Sequence, residues 1–261
     1  MTSDGGSTRL RQTLENRHEV LQYLTTTPST KPELVTALSA ARSTIDRAID
    51  DLQDVGCLSK RNGRYHATAT GRVALTEYHE YVRSTDALNR SSTFLNTLPE
   101  DAPLDVALLR GAEISLADSH APEAALAASI DVFRHATELK GLAPVVLTFY
   151  PDLIADRVMS GGLSVEIIAQ ENVIGSFDDL ASQSVDRLLD SESVTLYVTD
   201  EQLPYALWVM ETPDGVWAGI TAYDDGGVQG VLMNDSEAAV AWAREQYNEY
   251  RNHARTAHSV N

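Results

Sequence analysis

LSAARSTIDRAIDDLQDVG, residues 38–56, places Ile45, Ala48, Ile49 and Leu52 on one helical stripe and ends at Gly56, a natural helix stop. Its other side carries Ala41, Arg42, Ser43, Thr44 and Arg47, which are small, polar or basic. Upstream, TKPELVTAL (30–38) predicts a short helix. Thr30 and Glu33 stand in capping-box spacing there, and Pro32 suits the first turn. Before it, Leu10, Leu14, Val20, Leu21 and Leu24 recur near helical spacing from Arg9 to Thr25, ended by Pro28, while residues 1–8 read as a frayed polar tail. Downstream, CLSKRNGRYHAT (57–68) alternates around Asn62-Gly63, the strongest short hairpin signal. A long helix follows from about Thr70 to Leu98, with Ala74, Tyr78, Tyr81, Thr85, Leu88, Ser92 and Leu95 in an a/d seam that Thr85 and Ser92 make imperfect. Pro99 and Pro103 close it.

Three helices followed by a two-stranded hairpin is the order of a winged helix-turn-helix, in which one helix must present small polar and basic side chains to the major groove. The candidates for that work are Arg42, Ser43, Thr44 and Arg47 on the recognition helix, and Lys60, Arg61, Asn62 and Arg64 on the wing. Taken singly, an amphipathic helix or a basic hairpin tip is ordinary surface; the argument lies in their order. Asp46, Asp50, Asp51 and Asp54 sit awkwardly for DNA, Asp46 most of all because it lies nearest the basic side chains.

The charge balance first argues against nucleic acid. Against 38 Asp and Glu the chain has 20 Lys and Arg, for a net charge of −18. The imbalance is regional. Residues 1–98 hold 12 basic and 11 acidic residues, and residues 99–261 hold 8 and 27, so the first part is +1 and the second −19. Such asymmetry predicts two domains with different partners. Hydrophobic residues at 43% exclude wholesale disorder. No apolar run approaches the ~18 residues of a membrane span, and the N-terminus lacks the apolar core of a secretory signal. The single cysteine, Cys57, forms no internal disulfide, so a cytoplasmic location is expected. Cys57 reads as a small core residue, with a thiol sensor as the alternative.

The acidic part alternates between element types. LDVALLRG (104–111) and EISLAD (113–118) read as strands, Pro122 opens a helix to about Lys140, and PVVLTFY (144–150) reads as a buried strand. PDLIADRVMSGG (151–162) is a helix, LSVEIIAQ (163–170) a strand, FDDLASQSVDRLLDSE (177–192) a helix and VTLYVTD (194–200) a strand. LPYALWVMET, VWAGITAYD and VQGVLMND then form an antiparallel meander, with Trp208 and Trp217 packing across it, and Ser236 caps a final helix to about His253. The fold class expected is an α+β winged helix followed by an α/β domain whose mixed sheet, parallel strands plus antiparallel meander, is covered by helices. The divisions are 1–69 (winged helix), 70–98 (linker and dimerisation helix) and 99–261 (effector or dimerisation domain). Ligands in open α/β sheets bind beyond the carboxyl ends of parallel strands. That rule nominates Thr148, Tyr150, Gln170 and Asp200 for an effector site, with Tyr205 as a wall. No G-x-S-x-G, P-loop or H-E-x-x-H occurs, and the seven histidines show no metal-ligand spacing. His120 beside Asp118 reads as a loop turn before it reads as a ligand pair. No cofactor, metal or catalytic residue is expected.

The chain is also similar to known families. SAARSTIDRAIDDLQDVGCL (39–58) and GRYHATATGRVAL (63–75), with Thr68 and Gly71 in a T-x-x-G pattern, resemble the recognition helix and wing of archaeal winged-helix regulators. Residues 138–169, 194–210 and 224–251 resemble the middle, effector-type domain of the archaeal methanogenesis-regulator family. With only Lys31, Lys60 and Lys140 as lysines, the Asp-rich balance resembles proteins of salt-accumulating haloarchaea. The resemblance implies a DNA-binding transcriptional regulator; with the seam of the long helix and the strand ends, the expectation is a homodimer on a double-stranded DNA operator, with a possible small-molecule effector and no membrane partner. The alternatives are a winged-helix protein-interaction module with an acidic docking domain, or a degenerate phosphodiesterase. The sheet looks similar to one half of a phospholipase-D-like fold, but no H-x-K occurs to carry that chemistry.

Overall fold

The computed structural model describes residues 4–145, 147–171, 173, 187–188 and 190–257. They fall into two compact units that divide between Thr85 and Asp86. The first begins with α1 (Asp4–Thr26), which reaches into the segment read as a polar tail. Next come α2 (Lys31–Ala37) and α3 (Arg42–Asp54). Thr30 and Glu33 form the capping box as spaced: Glu33 N–H donates to Thr30 Oγ1, and Thr30 N–H donates to Glu33 Oε2 at 2.8 Å. Leu14, Leu21, Leu24, Leu34, Ile45, Ile49 and Leu52 meet in a single core. Gly56, at φ +73, ends α3 in the left-handed conformation that glycine adopts without steric cost.

The hairpin is β1 (Leu58–Arg61) against β2 (Arg64–Ala67), with Arg61 facing Arg64 across the turn. Asn62 and Gly63 have φ of 49° and 77°, the signature of a two-residue type I′ turn. Ser29 and Tyr65 exchange backbone hydrogen bonds, so the segment between α1 and α2 adds a one-residue third strand. Then α4 (Ala69–Leu95) runs on as one continuous helix, and the boundary between units lies within it.

In the second unit a single sheet has the order β10-β6-β5-β4-β7-β8-β9-β3. Its strands are β3 (Glu113–Leu116), β4 (Glu138–Ala143), β5 (Ser164–Gln170), β6 (Val194–Thr199), β7 (Ala206–Thr212), β8 (Gly215–Asp224), β9 (Gly227–Asn234) and β10 (Arg255–Thr256). β4, β5 and β6 are parallel to one another; the other pairings are antiparallel. The mixed sheet is therefore as expected, with β4 as the seam between its two styles. One face packs on the end of α4, on α5 (Val106–Leu109) and on α8 (Glu237–His253) through Leu207, Val209, Ile220 and Leu232. The other face packs Trp208, Met210, Val231 and Met233 against α6 (Ala127–His135) and α7 (Tyr150–Met159). The alternation of neighbours such as Leu207 and Trp208 between faces is the two-residue period of a strand.

Three local readings change. LDVALLRG contains α5 and no strand: Asp105 accepts from Ala107 N–H at 2.7 Å and caps one helical turn. The helix expected from Pro122 to Lys140 ends at His135, after a 3₁₀ turn over Pro122–Leu126, and Glu138–Ala143 is a central strand. Gly141 lies mid-strand, where a Cβ would come within 3.0 Å of the Leu207 carbonyl oxygen. PVVLTFY is not a strand either; it leads from β4 into α7, and Pro144, lacking an N–H, cannot extend the ladder. The helix expected over 177–192 lies mostly outside the described residues.

Candidate nucleic-acid interface

On α3 the apolar stripe is fully buried, whereas Arg42, Ser43, Thr44 and Arg47 are exposed. All four aspartates of α3 have a cation beside them. Lys31 Nζ lies 2.8 Å from Asp46 and 4.0 Å from Asp50, Arg17 lies 3.0 Å from Asp51, and Arg9 lies 2.6 Å from Asp54. Each acid is met by a cation from α1 or α2. The hydrogen bond from Lys31 holds the Asp46 carboxyl below its ordinary range, helped by the nearby positive charges of Lys31 and Arg42, and the same bond raises the Lys31 ammonium. Among the described residues, Arg42 and Arg47 have no ion pair of their own. The N-cap position of α3 is Ala41, which supplies no side-chain cap. Sequence spacing exposed the aspartates but gave no means of assigning their partners, because the pairing depends on how α1, α2 and α3 pack.

At the wing, Lys60 lies 5.3 Å above the Tyr65 ring, and Arg61 and Asn62 are exposed at the tip. Arg64 is placed differently. Its guanidinium donates to both carboxylate oxygens of Glu33, at 2.8 and 2.9 Å, and to the Pro28 carbonyl at 3.0 Å. Arg64 thus clasps the hairpin to the start of α2. The Thr30 N–H and then Arg64 hold the Glu33 carboxyl below its usual range.

The T-x-x-G pattern has a mechanical cause. Thr68 Oγ1 accepts from Gly71 N–H at 3.0 Å and donates to the Gly56 carbonyl at 2.7 Å, so it caps α4 and ties it to the end of α3. A Cβ on Gly71 would stand 2.3 Å from the Cys57 carbonyl oxygen, so the helix approaches β1 by virtue of the missing side chain. Cys57 is fully buried and burial pushes its thiol up, the opposite of what a reactive thiol needs.

The five residues nominated for an effector do not converge. Gln170 and Asp200 come together with Glu171 and Thr199 at a shallow polar opening beyond the ends of β5 and β6. Thr148 is exposed in a turn, since the strand expected over 144–150 does not form and β4 ends at Ala143. Tyr205 is buried on the α8 face, where its hydroxyl donates to the Pro103 carbonyl at 2.5 Å; it is a core residue and walls no site. Tyr150 lines a separate apolar cavity of about 180 Å³ between α7 and the sheet, together with Thr221 and Tyr223. Nothing in the sequence pointed to Thr221 or Tyr223, since only the strand register of β8 brings them opposite α7. His120 and Asp118 form a turn, with His120 N–H donating to Asp118 Oδ1 at 2.8 Å. Among the described residues no cluster of His, Cys, Asp and Glu is disposed to hold a metal, and no helix is long and apolar enough to cross a membrane.

Comparison with known proteins gives two family matches. Residues 122–253, just over half the chain, match the methanogenesis regulatory protein FilR1, middle domain. Residues 7–90 match the HVO_A0261 N-terminal domain. No curated protein sequence matches. Among solved structures, the chain is similar to TrmBL2, described as an archaeal chromatin protein with a novel mode of DNA binding (12% identity, TM-score 0.44, 96% of this chain and 99% of that one). It is also similar to NucT from Helicobacter pylori (12% identity, TM-score 0.42, 56% of this chain and 98% of that one). A third likeness is to Nuc, a phospholipase D family member from Salmonella typhimurium (11% identity, TM-score 0.40, 56% and 96%).

Proposed function

Because the chain belongs to the family of the methanogenesis regulatory protein FilR1, middle domain, we propose that it is a cytoplasmic transcriptional regulator that binds a specific double-stranded DNA operator as a homodimer. The observation that carries this reading is the sorting of charge on α3. Lys31, shared by Asp46 and Asp50, with Arg17 and Arg9 offsets most of the negative charge of its four aspartates, while Arg42, Ser43, Thr44 and Arg47 are exposed and their arginines are left without ion pairs among the described residues. Arg47 and Arg42 suit guanine edges or phosphates, and Ser43 and Thr44 suit either. The uncapped start of α3 offers N–H groups to a phosphate. Lys60 and Arg61, with Asn62 at the turn, lie along the neighbouring backbone; Arg64 serves chiefly to hold the wing in place.

In this reading residues 1–69 recognise DNA, the helix of residues 70–98 joins protomers, and the acidic remainder senses a ligand or mediates contacts. The −19 of that remainder keeps it off the DNA and is a hydration adaptation to salt. Arg47→Ala is expected to weaken operator binding by about 1–3 kcal/mol, read by gel shift in native-like salt on a fragment recovered by chromatin immunoprecipitation. Unchanged binding would remove α3 from the interface. If no genomic fragment is retarded at any salt, the winged helix is a protein-contact module instead.

A further inference from the structure

The cavity between α7 and the sheet lies wholly within the second unit, apart from the interface described above. Its walls are Leu139, Ala143, Ile154, Ile167, Trp208 and their apolar neighbours. Among the described residues lining it none is charged, in a unit whose surface is strongly acidic. The polar groups are Tyr150, Thr221 and Tyr223. Thr221 and Tyr223 stand two residues apart on β8, so they share one face of the sheet, and Tyr150 reaches the same cavity from the start of α7.

The cavity opens to the surface on one side, and the small side chains of Ala143 and Ala206 in its walls leave its volume clear. The volume also sets the size of an occupant. An engineered apolar cavity of about 150 Å³ stays dry and takes up benzene; this one, at about 180 Å³, has room for a ring with one or two small substituents. A charged ligand is excluded, since a buried charge without a counter-ion is strongly disfavoured.

We propose that this cavity binds a neutral small molecule the size of a single substituted aromatic ring, with at most one hydroxyl or carbonyl, which meets the Tyr150–Thr221–Tyr223 group. This deepens the sensing role given to the acidic part. Its regulatory consequence rests on that role, whereas binding itself is measured without DNA, so the two can fail separately.

The test uses the full chain and two probes, p-cresol and benzoate, which share a ring and differ in charge. p-Cresol is expected to raise the unfolding temperature saturably, by about 5 °C near one-hundredfold excess over its Kd, and benzoate to leave it unchanged. Ala143→Leu, which fills the cavity, is expected to abolish the p-cresol shift while unfolding no earlier than the parent chain. Equal shifts from both probes, no shift from either, or a p-cresol shift that survives Ala143→Leu would overturn the proposal. Should that variant not fold, crystals of the parent chain grown with 4-bromophenol decide. An anomalous bromine peak between Ile154 and Tyr223 upholds the site, and a peak elsewhere or none at all sinks it.

Discussion

Gly71 shows how much of this architecture hangs on single side chains. Its backbone N–H completes the Thr68 cap, and the space its Cβ would fill already holds the Cys57 carbonyl oxygen at 2.3 Å. The obstacle is the backbone of the residue that leads into β1, not the flexible end of a side chain, so relief requires moving the start of the wing or α4. Gly71→Ala is therefore expected to destabilise the first unit by about 3 kcal/mol, measured by chemical denaturation, although alanine is the better helix former. A neutral or stabilising result would mean that the close approach is not maintained in solution. Asn234 illustrates the opposite device, a buried polar group that is fully used. Its amide donates to the Leu108 and Arg110 carbonyls at 2.9 and 2.8 Å, and its oxygen accepts from Ser236 N–H at 2.8 Å. It thereby fixes the end of β9 against α5 and sets the start of α8.

Among elements, α3 is the one whose function depends most on its neighbours. The helix carries four acids and two arginines, and its outward face is cationic only because α1 and α2 attend to the acids. Lys31→Ala is accordingly expected to weaken operator binding although Lys31 itself need not touch DNA. The loss should be smaller than for Arg47→Ala and greater at low salt, where an unpaired Asp46 is less screened. Adding Asp46→Ala should restore affinity, and failure to restore it in a gel-shift titration would show that Lys31 acts by some other route. The elements themselves were legible to different degrees for a physical reason. α2, α3 and the wing carry local instructions, namely the Thr30–Glu33 box, Gly56 and Asn62-Gly63, and they form where the sequence puts them. β4 has no such instructions. ELKGLA follows an amphipathic run and contains a glycine, so it reads as a helix end; it becomes a strand because β5 and β7 supply hydrogen-bond partners on both sides. The candidate site divides in the same way. The residues proposed to face DNA sit on locally encoded elements, and all but Arg64 stand exposed without an ion pair among the described residues; the cavity lining is assembled from distant strands, and of it the sequence named only Tyr150.

For the molecule as a whole, the a/d seam of α4 is shared among three tasks. Ala74 and Tyr78 pack into the core of the first unit and Leu95 into that of the second, which leaves Tyr81 (65% exposed) and Leu88 (45% exposed) as its large apolar side chains open to solvent. Seven positions apart, they suit a short helix-to-helix contact with a second copy. Leu88→Glu is expected to halve the mass measured by light scattering while the circular dichroism spectrum is kept; an unchanged dimer would move the protomer contact elsewhere. The position of β4 bears also on how the chain comes into being. Leu139 must find Val165 on one side and Met210 on the other, so the sheet cannot close until the meander has been synthesised. The contacts of the winged helix are nearly all complete by Tyr78. Emerging from a ribosome, this protein can complete its winged helix well before its sheet.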